Sequence, residues 1–227
     1  MNIRIYDTYD QMSRAAADFV IAQLLLKPES HIGLTAGKTP IGMFAALVDS
    51  YRSGAVGFGQ ATFYNLEEKF GLAADDPATC RNYFHRHLLD HTDIMDDQLL
   101  LPDQPADNLV KACTTYDELL RSLPGHRLDM QILGIGENAH IGMNHPREAL
   151  PLGVHKETRG QVEYAAMGLR NILCAERILL IANGVSKAQA VADMCRGDVV
   201  TTTIPATLLQ LHPDVTVLLD CEAAALL

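Results

Sequence analysis

Four stretches of the chain place reactive side chains where an apolar run gives way to a glycine turn. The first is Gly33-Leu34-Thr35-Ala36-Gly37-Lys38-Thr39-Pro40. Backbone N–H groups left unpaired at a strand-to-helix turn, beside the positive end of a helix, make a cradle for phosphate or carboxylate. Gly37 lets an anion approach the backbone closely, Thr35 and Thr39 add hydroxyl donors, and Lys38 adds a cation. Ala36 completes the small-residue turn. The loop is not of the GxxxxGK[ST] type, because position 32 is Ile rather than Gly.

The second stretch, Asn65–Leu72, sets Glu67 beside Glu68 at the end of an apolar strand. Successive strand side chains point to opposite faces, so one carboxylate is expected to face a cleft and the other a flank. A carboxylate partly withdrawn from water holds its proton more tightly and can act as a general base. The third stretch, Gly134–Pro146, carries His140 and His145, and imidazole is the side chain best poised for proton transfer near neutral pH. No HExxH or similar spacing accompanies them, so no metal is expected. The fourth, Asn183–Ala188, puts Lys187 at a helix start, where a cation opposes the helix dipole unless an anion binds there. Taken singly, each stretch fits a bland alternative equally well: a plain βα turn, a solvated acidic turn, a structural histidine, a surface lysine.

These turns need elements to hold them. Apolar, β-branched runs predict strands at Ile3–Tyr6, His31–Thr35, Ala61–Leu66, Leu128–Ile135, Arg177–Ala182 and Val215–Leu219. Several are apolar on both faces, as strands buried between layers should be. Between them, Met12, Ala15, Ala16, Phe19 and Leu26 recur at helical spacing and predict a helix over Gln11–Leu26. Thr39 is expected to cap a second helix with Pro40 at its first position, ending at Gly54. A third is expected from Asp107 to Pro124, and a shorter one capped by Ser186. The alternation predicts an α/β protein: a three-layer, Rossmann-like fold with a mainly parallel central sheet and helices on both faces. Ligands of such sheets sit beyond the carboxyl ends of the strands, where all four turns fall.

Composition narrows the function classes. The 227 residues are 48% apolar and 20% charged, which excludes a disordered chain. A net charge of -10 without a basic run argues against nucleic-acid or anionic-membrane partners, yet leaves a local pocket for small anions. No apolar run approaches the roughly 20 residues of a membrane span. The polar N-terminus, MNIRIYDTYD, and five scattered cysteines without a CxxC pair predict a cytoplasmic protein with mostly buried, reduced thiols. With no internal repeat and no flexible linker, residues 1–227 are expected to form one domain. Residues 144–158, rich in Pro, His and charge, are expected to be a lid or connecting loop.

Together the segments resemble the glucosamine-6-phosphate deaminase and 6-phosphogluconolactonase family, from about Ile32 to Pro213. Thr35–Pro40 looks like its phosphate loop. Asn65–Leu72 looks like Asn-Leu-Asp-Glu-Tyr-x-Gly-Leu of the deaminase branch, and Gly134–Pro146 like its Gly-x-Gly-x-Asp-Gly-His-x-x-x-Asn-Glu-Pro. Gly184–Ala188 and Leu209–Pro213 match two further motifs, Gly-x-x-Lys-Ala and Leu-Gln-Leu-His-Pro. Asn144 and Pro146 favour the deaminase (isomerase) branch.

The resemblance implies conversion of glucosamine or galactosamine 6-phosphate to a ketose 6-phosphate and ammonia, with no metal and no organic cofactor. His140 would assist ring opening, and Glu67 would shuttle a proton between C2 and C1. The Thr35–Thr39 loop, Lys187, Glu68 and Gly136 would hold the substrate, with Arg159 the nearest candidate for a further phosphate cation. Departures from the pattern are Glu67 for aspartate, Asn138 for the aspartate two residues before His140, and His145 for the glutamate before the proline. Two rivals stand beside this reading: a lactonase in which His140 activates water, and a catalytically impaired sugar-phosphate sensor. A sugar phosphate is the expected partner, and a homo-oligomer is compatible with the chain.

Overall fold

Along strand Met130–Leu133, Met130 and Ile132 enter one hydrophobic cluster, while Leu133 enters a second on the opposite side. The same division recurs along Arg177–Ala182, where Leu179 and Ile181 face one way and Ile178, Leu180 and Ala182 the other. A strand buried on both faces carries apolar side chains on both, with the fully buried Gln131 the polar exception in the first of these strands.

A computed structural model describes residues 1–103 and 105–227. Its elements are β1 (Asn2–Tyr6), α1 (Tyr9–Leu26), β2 (His31–Leu34), α2 (Ile41–Arg52), β3 (Thr62–Asn65), β4 (Glu67–Phe70), α3 (Cys80–His87), β5 (Leu99–Leu100), α4 (Leu109–Ser122), β6 (Met130–Leu133), β7 (His155–Arg159), β8 (Val162–Ala166), α5 (Leu169–Leu173), β9 (Arg177–Ala182), α6 (Ala188–Arg196) and β10 (Val215–Asp220). Seven strands form one sheet in the order β1-β10-β9-β6-β2-β3-β5, with every pairing parallel. One face packs on α1, α2 and α3 through Met12, Phe44 and Phe84; the other packs on α4, α5 and α6 through Tyr116, Ile172 and Val191. This is the expected three-layer α/β arrangement. Among the described residues no helix is long and apolar enough to cross a membrane.

The strand order fixes where a ligand can sit. From β2 the chain winds outwards through β3 to β5; from β6 it winds the other way through β9 and β10. The loops after β2 and β6 therefore diverge and leave a crevice above two adjacent carboxyl ends. Those loops are Thr35–Pro40 and Gly134–His140.

Several local expectations need correction. Thr39 does not cap α2: Pro40 holds the cap position without a side-chain bond, and the Thr39 hydroxyl donates instead to Asn183 Oδ1 at 2.7 Å. The third helix starts at Leu109 rather than Asp107, capped by Asn108, which accepts from Lys111 N–H at 3.0 Å. Ser186 lies in a one-turn 3-10 segment before α6 rather than capping it. Of the five thiols only Cys80 and Cys113 are buried, whereas Cys174 and Cys221 are exposed.

A three-stranded antiparallel sheet, β4-β8-β7, was not foreseen. Its strands read EEKF, VEYAA and HKETR, too charged to carry the period of an apolar face. The second half of the expected lid, His155–Thr158, is part of β7. The first half is tied down: Arg147 N–H donates to the Thr202 carbonyl at 3.3 Å, and the Thr202 hydroxyl donates to the Glu148 carbonyl at 2.9 Å.

Candidate active site

Each reactive side chain arrives on a different element. The chain turns from β3 into β4 at Asn65, whose side-chain N–H donates to the Glu67 carbonyl and whose own carbonyl accepts from Tyr116 Oη at 2.9 Å. The turn delivers Glu67 to the crevice. The loop after β6 delivers His140 through Ala139, a non-glycine residue at φ +60°. Gly136 makes room for it, since a Cβ there would overlap the His140 ring. The turn after β9 delivers Lys187. It is anchored by Asp220, whose carboxylate accepts Gly184 N–H at 3.0 Å and Ala223 N–H at 2.8 Å. Arg159 comes from the end of β7, in the small sheet.

All of these meet in one cavity of about 620 Å³. Its lining includes Thr35, Ala36, Gly37, Lys38, Thr39, Glu67, Gly136, Asn138, His140, His145, Arg159 and Lys187. Pro40, Gly134, Ile135, Glu137, Gly142 and Met143 join them, all from segments already singled out by sequence but not chosen as site residues.

Glu68 is the exception. It turns away from this cavity and caps the start of α3, accepting from Lys69 N–H at 2.7 Å, Cys80 N–H at 2.8 Å and Arg81 N–H at 3.0 Å. The alternation of a strand thus splits the two carboxylates, one to the cleft and one to the flank. His212 of the Leu209–Pro213 motif is likewise a brace, its Nε2 lying 2.8 Å from the Ala175 carbonyl.

Electrostatics inside the cavity are asymmetric. Burial, with Glu68 adding repulsion, pushes the Glu67 carboxyl from its ordinary 4.5 up to about 7, and its Oε2 is buried with no hydrogen-bond partner among the described residues. His140 moves the other way. Burial, then Arg159 and Lys187, pushes it down to about 4, so the ring is neutral at pH 7. Its Nδ1 lies 2.6 Å from Asn138 Oδ1, an oxygen that can only accept. The proton therefore sits on Nδ1, and Nε2 keeps its lone pair. His145 stacks on His140 with ring centroids 4.0 Å apart. Neither neighbour offers the carboxylate that would favour an imidazolium. Among the described residues no cluster of His, Cys, Asp or Glu is arranged to hold a metal ion.

Comparison with known proteins points the same way. A family model described as glucosamine-6-phosphate isomerases/6-phosphogluconolactonase matches residues 7–218. Curated glucosamine-6-phosphate deaminases from Alkaliphilus metalliredigens and Halothermothrix orenii are 35% and 36% identical, each alignment covering 100% of both chains. A solved monomeric glucosamine-6-phosphate deaminase superposes with a TM-score of 0.94 at 33% identity, over 100% of both chains. The 6-phosphogluconolactonase of Trypanosoma brucei shares the fold, with a TM-score of 0.82 at 20% identity over 99% of this chain and 97% of that one. The chain belongs to the glucosamine-6-phosphate isomerase/6-phosphogluconolactonase family.

Proposed function

We propose that this chain is an amino-sugar-6-phosphate deaminase (isomerase), converting glucosamine or galactosamine 6-phosphate to a ketose 6-phosphate with release of ammonia. The observation that carries the proposal is the pairing, in one cavity, of an unpartnered carboxyl held near pH 7 with a neutral imidazole, beside three cations. A base and a proton carrier on opposite sides of their ordinary ranges suit proton abstraction next to a carbonyl.

In this reading the 6-phosphate lies against the Thr35–Thr39 loop with Lys38, Arg159 and Lys187 around it. His140 Nε2 takes the C1 hydroxyl proton and returns a proton to the ring oxygen, opening the sugar to a 2-amino aldehyde. Ionised Glu67 removes the C2 proton and delivers it to C1, while one N–H proton of the amino group is transferred to O1. The product is a 2-imine, which water hydrolyses to the ketone, freeing ammonia. Because Nε2 stays basic only while Nδ1–H is held, Asn138 would keep His140 in the useful tautomer.

The full-length similarity to deaminases supports this reading over the lactonase rival, whose relatives here are similar in fold alone. The similarity to a solved deaminase described as monomeric supports a site that works in a single chain. An ammonia-release assay over a panel of hexosamine 6-phosphates tests the proposal. Release from at least one of them is expected. Hydrolysis of 6-phosphogluconolactone without any ammonia release would overturn it in favour of a lactonase. Binding of sugar phosphates without turnover would overturn it in favour of a sensor.

A further inference from the structure

The anion loop is held from outside the cavity by two tyrosines that do not line it. The Gly37 carbonyl accepts from Tyr83 Oη at 2.6 Å. The Thr39 carbonyl lies 3.0 Å, and the Lys38 carbonyl 3.4 Å, from Tyr9 Oη, which itself accepts Gly42 N–H at 2.7 Å. The Gly37 and Thr39 carbonyls are thus turned onto hydroxyls borne by α3 and α1.

In a planar trans peptide the C=O and the following N–H point in opposite directions. Holding the Gly37 carbonyl on Tyr83 aims Lys38 N–H the other way, while Tyr9, whose one proton goes to the nearer Thr39 carbonyl, fixes the turn into Pro40. Among the described residues the amides of Ala36, Gly37, Lys38 and Thr39 donate to no protein acceptor. Gly37 sits at φ +125° with nothing near the position of a Cβ, so the loop does not fix its own conformation there.

Tyr83, in contrast, is firmly placed. Its ring packs against Phe44, Phe84 and His87, with centroid separations of 6.3, 5.3 and 4.6 Å. Its helix is anchored at Cys80 and Arg81 by Glu68, the residue next to Glu67.

We propose that Tyr83, assisted by Tyr9, is a positioning residue that presets the backbone amides of the Gly37–Thr39 loop for a phosphate monoester, and that Glu68 and α3 brace it against the strand carrying Glu67. This rests on the cavity being a sugar-phosphate site. It also explains why the second carboxylate faces the flank: Glu68 holds the helix that holds the phosphate loop.

The test compares wild type with Tyr83→Phe, which keeps the ring packing and removes only the hydroxyl. Two measurements are made: calorimetric binding of inorganic phosphate, and kcat and KM for glucosamine 6-phosphate. Losing one hydrogen bond to the loop should weaken phosphate binding by about fivefold to tenfold and raise KM by a similar factor, with kcat within about twofold. Tyr9→Phe should act in the same direction and serves in its place should Tyr83→Phe lower the ligand-free melting temperature. Unchanged phosphate affinity, or a fall in kcat alone, overturns the proposal. Absence of ammonia release by the wild type would sink the reaction proposed above, while the phosphate titration would still decide the role of Tyr83.

Discussion

At the scale of single residues, the informative contrast is between Glu67 and Glu68. Both are buried carboxyls raised by desolvation, yet Glu68 spends its oxygens on three N–H donors and Glu67 leaves one oxygen bare. An unsatisfied buried oxygen costs about 1–3 kcal/mol, a cost that a proton-transfer site tolerates when substrate supplies the missing partner. Glu67→Gln should therefore lower kcat by roughly a hundredfold or more while leaving KM near its original value. In the wild type, kcat/KM should rise with pH through about 7 as Glu67 ionises, a limb that the Gln variant loses. Lys187→Ala should do the reverse, raising KM more than it lowers kcat. Equal effects of the two substitutions would contradict the separate roles given to base and phosphate anchor.

The elements matter because each contributes one group and a backbone reason for its direction. The β6–His140 loop is the tightest example. It needs Gly136 without a side chain and Ala139 at positive φ, so that the imidazole folds back over the loop. Gly136→Ala should leave the fold intact, since the clash is with one side chain, but should displace His140. A loss of activity exceeding tenfold, with little change in melting temperature, is the expected signature. An unaltered rate would mean that His140 is not held by this packing. Only one of the two special positions was legible in the sequence: Gly136 was visible as a glycine, but nothing in Asn-Ala-His announces that the alanine takes a left-handed conformation.

Across the whole molecule, the two shifted groups that face the cavity oppose one another in stability. Glu67 titrates near 4.5 when unfolded and about 7 when folded, so the native state binds more protons between those values and stability falls as pH rises through them. His140 titrates near 6.5 unfolded and about 4 folded, so the native state binds fewer protons in that window and stability rises with pH. The contributions of these two groups should thus nearly cancel between about 4.5 and 6.5. Glu67→Gln removes the falling contribution, so the variant should gain on the wild type by up to about 1.4 kcal/mol per pH unit across the window. Urea melts of both proteins at several pH values would check this. A constant difference between them would show that Glu67 is not shifted.

Sequence by itself determined the layers, the buried strands and the four reactive turns, because apolar periodicity and turn chemistry are local properties of a chain. Twelve of the thirteen residues singled out as site residues share one cavity, eleven of them for the same reason: parallel strands deliver all their following loops to one edge. Tertiary structure alone decided the rest. The exchange of a cap for an Asn183 bond at Thr39 and the tyrosines behind the loop depend on partners 29 to 144 residues away, and the hairpin that carries Arg159 is brought in by the pairing of β8 with distant β4. Charge on a strand and a hydroxyl on a helix carry no address for such partners. Only packing α1 and α3 onto the same sheet face as α2 puts their tyrosines within reach of the loop.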